Sequence, residues 1–143
     1  MTIICKIDNR ERDLIQSLHN IPFNYMTSNL DIGDIQIDHI DNDNVIHNLV
    51  TIERKTYDDL STSIKDGRYK EQKNRILNSI SNNTRKIYVL EGNNNDFKLS
   101  KNVLDGTVIN TIVRDDIHIF ISKNINDTIN FINNIIKNID KYK

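Results

Sequence analysis

At 143 residues, with 37% hydrophobic and 27% charged side chains, the chain is long enough for one globular domain and too short to point to two. A net charge of −1 withholds the broad basic footprint of a domain that grips duplex nucleic acid unaided, so any such role has to rest on a local site. One cysteine, Cys5, excludes a disulfide framework and a cysteine-based zinc site, and the absence of a secretory leader or a long apolar run sets the expectation of an intracellular protein, not secreted and without a membrane partner.

From the N-terminus, "TIICKID" is a β-branched run that predicts a buried first strand. "RERDLIQSLHN" then sets Leu14, Ile15 and Leu18 at helical spacing, in a helix that Pro22 forbids from continuing. "NLDIGDIQID" alternates Leu30, Ile32, Ile35 and Ile37 around Gly33, the pattern of a strand with a bulge or bend at the glycine. The polar stretch "HIDNDNVIHN" joins it to "LVTIERK" as a hairpin. Thr56, with Asp59 three residues on, marks the N-cap of a helix over 57–65. A turn at Asp66-Gly67 leads into a second helix ending near Ser81. "KIYVLEG" predicts a strand closed by Gly92, "NNNDFKLSKN" a loop, "VLDGTVINTIVR" a helix and "IHIFIS" a strand. A last helix from about Asn126 places Ile125, Ile129, Ile132, Ile136 and Ile139 on one stripe, widened by Phe131 and Ile135. There is no internal repeat, and the alternation predicts an α/β layer fold with a central mixed sheet covered by helices.

The strand ending Glu53-Arg54-Lys55 carries the chemistry. Alternation along a strand sends Glu53 and Lys55 to one face and Arg54 to the other. Asp34, on the preceding strand of the hairpin, comes beside Glu53 in a suitable register. Two carboxylates held close repel one another unless a cation sits between them, and hard oxygens in an otherwise open shell suit Mg²⁺. A lysine beside them orients an attacking water or steadies a phosphorane. Basic residues also cluster at Lys65, Arg68, Lys70, Lys73 and Arg75, with Arg68, Gln72 and Arg75 on one helical stripe. Each feature has a plainer reading: a solvated strand edge for Glu53 and Lys55, a turn for Asp34, a helix cap for Asp59 and a wet helix face for the stripe. His19, His39, His47 and His118 show no metal-ligand spacing. The residues alone reach as far as an Asp/Glu/Lys metal-dependent phosphodiesterase.

In combination, Asp8-x-Arg10-Glu11, Gly33-Asp34, the run "ERKxxxD" from Glu53 to Asp59, "SIKDGRYKEQKNRI" and "VLEG" resemble the nuclease domain of the XPF/Mus-type structure-specific endonucleases over nearly the whole chain. The resemblance implies a restriction-endonuclease-like three-layer fold, Mg²⁺ or Mn²⁺ dependence, and incision of branched DNA near a single-strand/double-strand junction in repair or recombination. That work belongs in the nucleus or at a site of viral or cellular DNA replication. It implies Asp34 and Glu53 as principal metal ligands, aided by the Arg54 carbonyl, and Lys55 as the catalytic lysine. Asp8 and Glu11 would lie at the rim, holding a second ion or positioning the first, while Arg10 and Arg54 steady the acidic cluster. Asp59 and Arg68 would complete the site, and Lys65, Arg68, Gln72 and Arg75 would contact DNA. A homodimer through the C-terminal helices, with the "IHIFIS" strand, or a heterodimer with a related subunit is implied as well.

Such nucleases commonly add a tandem helix-hairpin-helix module. This chain reads as a single nuclease domain over 1–143 without one, either a fragment or a minimal member. Two alternatives stay open: a non-catalytic scaffold subunit of a nuclease heterodimer, which predicts loss of the ligands or the lysine, and a restriction-type or RNA-directed nuclease on the same fold.

Overall fold

Six strands form one mixed sheet in the computed structural model, which describes residues 2–19, 21 and 23–141. The strands are β1 (Thr2–Asp8), β2 (Tyr25–Ser28), β3 (Ile35–Ile40), β4 (Ile46–Thr56), β5 (Arg85–Glu91) and β6 (His118–Ser122), in the spatial order β2-β1-β3-β4-β5-β6. β1, β3 and β4 pair antiparallel, whereas β2 joins β1, and β5 and β6 join β4, in parallel. The helices are α1 (Arg12–Gln16), α2 (Tyr57–Lys65), α3 (Arg68–Ser79), α4 (Lys101–Ile109) and α5 (Ile125–Lys137).

Each face of the sheet carries its own core. On one, Leu14 and Leu18 of the α1 region and Ile129, Ile132 and Ile135 of α5 pack on Ile7, Ile35, Ile37, Val50, Ile52 and Val89. On the other, Tyr57 and Leu60 of α2 and Tyr69 and Ile76 of α3 pack on Tyr88 and Leu90, with Leu104 and Val108 of α4 at the margin. This is the three-layer α/β arrangement expected of the sequence.

Several elements differ from their sequence pattern. α1 is shorter than predicted, because the Ser17 hydroxyl donates to the Asp13 carbonyl and competes with the helical ladder; Pro22, its predicted stop, lies outside the described residues. β2 was not signalled at all: it is an edge strand, largely exposed, and so carries no apolar alternation. The predicted strand through Gly33 begins only at Ile35, since Gly33 adopts a left-handed φ of 78°, and a Cβ there would come within 2.6 Å of Thr51 Cγ2. β4 starts earlier than predicted, and the hairpin turn is confined to 41–45, where Asp41 Oδ1 accepts from the backbone of Asp43 and Val45. Between the pairs Ile37–Val50 and Asp38–Asn48 the β3–β4 register shifts, leaving Leu49 as one extra residue on β4.

α4 gives way at Asn110 to a π-helical turn through Arg114, closed by the Asp115 N–H on the Asn110 carbonyl at 3.1 Å. The α5 stripe, read from sequence as wider than one packing surface needs, is taken up inside the chain: Ile132 is 0% exposed and Ile129, Ile135 and Ile139 are buried. The apolar surface left uncovered lies instead along α4, the π turn and β6, at Val103, Ile109, Ile112, Val113 and Ile121. Among the described residues no helix is long and apolar enough to cross a membrane.

Candidate active site

The β3–β4 hairpin builds the centre. Ile35 lies opposite Ile52, so the register continued one residue outward sets Asp34, just before β3, directly opposite Glu53, and the Asp34 backbone N–H donates to the Ile52 carbonyl at 2.8 Å. Asp34 Oδ2 accepts the Arg54 backbone N–H at 2.8 Å. Burial, followed by repulsion from Asp34, pushes the Glu53 carboxyl well above the carboxylate range. Asp34 is also raised, chiefly by burial. Two carboxyls so placed repel as anions, a repulsion that a cation between them would relieve.

Lys55 projects to the same side and lowers both carboxyls electrostatically. It is 8% exposed, with Nζ donating to Ser63 Oγ of α2 at 3.2 Å. The helix that supplies Ser63 starts where predicted: Thr56 Oγ1 accepts the Asp59 N–H at 3.1 Å, and the exposed Asp59 side chain lines the cleft rim.

Around this centre the cleft is lined by Asp8, Arg10, Arg54, Arg68, Gln72 and Arg75 among others. Asp8 is fully engaged: Oδ1 accepts from the Arg10 backbone and Nε, and Oδ2 from Arg10 Nη2 and the Leu30 N–H. These bonds, that to the Arg10 side chain first, hold its carboxyl far below the usual range. Arg10 is thereby fixed across the mouth, while Arg75 reaches the Asp31 carbonyl at 2.9 Å and Arg68 stays exposed beside Asp66. Glu11 sits behind the strand near Arg54, 3.5 Å from Nη1, with Oε1 buried and without a hydrogen bond; burial and then Asp34 push it to about 7.

Lys65 does not line the cleft, and Lys73, counted with the basic cluster in sequence, is buried against Asp115 at 2.8 Å and over the Tyr69 ring. Helical periodicity turns Lys73 inward between Gln72 and Arg75, so it belongs to the α3 core.

Sequence reasoning missed the support of Arg54. Its guanidinium passes to the opposite sheet face, donating through Nε to Glu91 Oε1 at 2.9 Å and through Nη1 and Nη2 to the Asp13 carboxylate at 3.0 and 3.1 Å. Thr128 of α5 donates to Glu91 at 2.6 Å and contacts Ser122 Oγ at 2.7 Å. The signal for Glu91 was an acid closing the otherwise apolar strand "KIYVLE", a position that solvent does not reach in a central strand. Ser63 had no signal beyond its helical offset from Lys55.

Among the described residues, no three His, Cys, Asp or Glu side chains converge as a ready ligand set. The Asp34–Glu53 pair nevertheless fits a hard divalent cation, since Mg²⁺ is commonly held by one or two carboxylates with water and phosphate oxygens completing its shell. Asp8, already saturated with donors, offers no free lone pair of comparable reach.

Residues 7–135 match the ERCC4 domain family. A probable crossover junction endonuclease mus81 of Dictyostelium discoideum is 37% identical over an aligned length of 160 residues, covering 93% of this chain and 17% of that protein. A putative ATP-dependent RNA helicase of Methanocaldococcus jannaschii is 30% identical over 122 residues, covering 85% of this chain and 14% of that protein. Among solved structures, XPF from Aeropyrum pernix in complex with DNA superposes with a TM-score of 0.77 at 18% identity, over 98% of this chain and 66% of that one. The same protein without DNA in its description gives 0.68 at 19% identity, over 90% and 61%. The chain thus spans about a sixth of the curated relatives, and the structural likeness establishes the fold.

Proposed function

This chain belongs to the ERCC4 domain family, and on that premise we propose that it is the nuclease part of a divalent-cation-dependent endonuclease that cuts branched DNA near junctions in repair or recombination. The observation that carries the reading is the Asp34–Glu53 pair, set opposite one another by the β3–β4 register, with Lys55 on the same face in the cleft. Asp34 and Glu53 would hold Mg²⁺ or Mn²⁺, which when bound polarises a phosphoryl oxygen and lowers the pKa of an attacking water. Lys55, held by Ser63, presents its charge to the reacting phosphate; Arg10, Arg68, Gln72 and Arg75 along the rim meet the DNA backbone, and Asp59 borders the same mouth. Glu11, behind β4, helps to set the charge of the pair through Asp34 and Arg54. The scaffold alternative predicts loss of the ligands or the lysine, and all three are present.

The test is cleavage of labelled linear, flap, fork and four-way DNA in Mg²⁺, with a chelator and Ca²⁺ as controls. Cleavage of branched substrates that stops on chelation and fails in Ca²⁺ supports the reading; no cleavage of any of them overturns it.

A second copy of the chain, or a related subunit, is the partner we assign to the uncovered apolar surface, where Val113 is 78% and Ile109 57% exposed. Light scattering should give a dimer mass that falls to a monomer in Ile109→Asp/Val113→Asp with the fold kept; a wild type monomeric at all concentrations rejects the homodimer.

A further inference from the structure

Tyr88 lies on β5 directly beside Glu53 on β4, and both side chains rise from the same sheet face. It is 1% exposed, and its hydroxyl is buried with no hydrogen-bond partner among the described residues. Buried tyrosine hydroxyls ordinarily have a partner, because an unmet O–H forfeits its hydration without return. The ring is fixed independently of that hydroxyl: it packs tilted against Tyr69 at 5.6 Å, and Tyr69 is itself tied through its OH to Thr111 of the π turn at 2.6 Å. The phenol is thus held immobile next to the carboxyl pair with a proton to offer. Of the acids whose charge acts on it, Glu53 comes first, ahead of Asp34 and Asp115. Glu53, for its part, stands directly opposite Asp34 in the β3–β4 register.

We propose that Tyr88 is a positioning residue for the site: its hydroxyl is the donor reserved for the Glu53 carboxylate when Glu53 serves as a metal ligand. A buried carboxylate that carries a full charge beside a cation gains from a neutral donor fixed next to it. A hydrogen bond from a neutral O–H to a metal-ligating carboxylate orients it without altering the charge count. This inference rests on the nuclease reading, which supplies the cation.

Mn²⁺ affinity by calorimetry and thermal melting with and without Mn²⁺ test it on wild type, Tyr88→Phe and Tyr69→Phe. Tyr88→Phe keeps the ring and should leave the metal-free melting temperature unchanged or slightly raised. It should also weaken Mn²⁺ binding about ten- to a hundredfold, the scale of one hydrogen bond to a charged group, and shrink the melting shift that Mn²⁺ confers. Tyr69→Phe, which loses only its bond to Thr111, should bind Mn²⁺ as wild type does. A purely structural tyrosine would instead lower the metal-free melting temperature, and that result overturns the proposal. Equal Mn²⁺ affinity in wild type and Tyr88→Phe also overturns it while leaving the nuclease reading intact; a wild type that takes up no Mn²⁺ at all sinks both.

Discussion

The two faces of β4 are built on opposite principles. On one, every nitrogen of the Arg54 guanidinium is engaged by Glu91 or Asp13, Thr128 and Ser122 extend the network into α5 and β6, and Glu11 beside it leaves one buried oxygen without a hydrogen bond among the described residues. On the other, one or two residues away along the strand, the Asp34 and Glu53 carboxyls are buried against one another, and among the described residues Tyr88 and Gln72 carry buried polar atoms without hydrogen-bond partners and the Lys55 ammonium donates to Ser63 alone. Saturation holds the strand still, and the unsatisfied side is what a ligand can complete. A close-packed cluster of paired charges stiffens its surroundings, whereas residues kept short of partners hold free energy that binding releases.

The sharpest way to break the contrast is to delete the charge on the open face. Lys55→Ala should reduce cleavage by at least about a thousandfold, the scale of removing one preorganised electrostatic stabiliser, with the melting temperature little changed. A variant that unfolds, or one that cuts normally, contradicts the assignment. On the closed face Arg54→Ala should do the reverse and act on folding first. Stranding Glu91 should cost about 3–5 kcal/mol in chemical denaturation, because the buried carboxylate loses Arg54, its ion-pair partner among the described residues; a cost below about 1 kcal/mol would show the network to be slack.

Titration sorts the carboxyls by sign, across both faces. A carboxyl whose folded pKa is raised binds more protons in the native than in the unfolded state, so stability declines as pH rises through the interval between the two values. For Glu11 that interval runs from its usual 4.5 to about 7, and Asp34 and Glu53 act in the same direction. The metal-free protein should therefore melt higher at pH 5 than at pH 8, and Glu53→Gln should flatten that slope and raise the melting temperature at pH 8 by about 2–5 °C. Asp8, lowered chiefly by Arg10, contributes the opposite dependence, its stabilisation lost only as pH falls below the ordinary carboxylate range. The smallest effect is expected at the edge of the closed network: Thr128→Val removes one donor to Glu91 and should cost about 1 kcal/mol without changing cleavage.

Strands whose apolar runs are uninterrupted were legible in the sequence, as were the Thr56 cap and the strand-end order Glu53-Arg54-Lys55, since local patterning alone decides them. β2 was not, because an exposed edge strand has no buried side to mark it. The α5 stripe was visible but its destination was not: periodicity reports that a helix face is apolar, and a sheet and a second subunit cover such a face equally well. Lys73 shows the same gap, a charge that a linear pattern reads as solvent-facing and that Asp115, forty-two positions on, brings inside. The face that carries the carboxyl pair was readable because its residues lie within one hairpin. Asp13, Glu91 and Thr128 come from three distant segments, and only tertiary structure unites them around Arg54.

The extra residue at Leu49 divides the hairpin into two lengths with separate registers. The pairs Ile35–Ile52, Gln36–Thr51 and Ile37–Val50, anchored on their other side by β1, align Asp34 with Glu53; the pairs from Asp38–Asn48 outward, with the turn at 41–45, keep a phase of their own. An insertion, deletion or fused peptide at the hairpin tip is thereby absorbed before it can shift the carboxylates. The bulge works as a slip joint, which leaves the tip free to diverge in length between relatives and makes it the place on this domain where a tether or an added module can be grafted without retuning the chemistry.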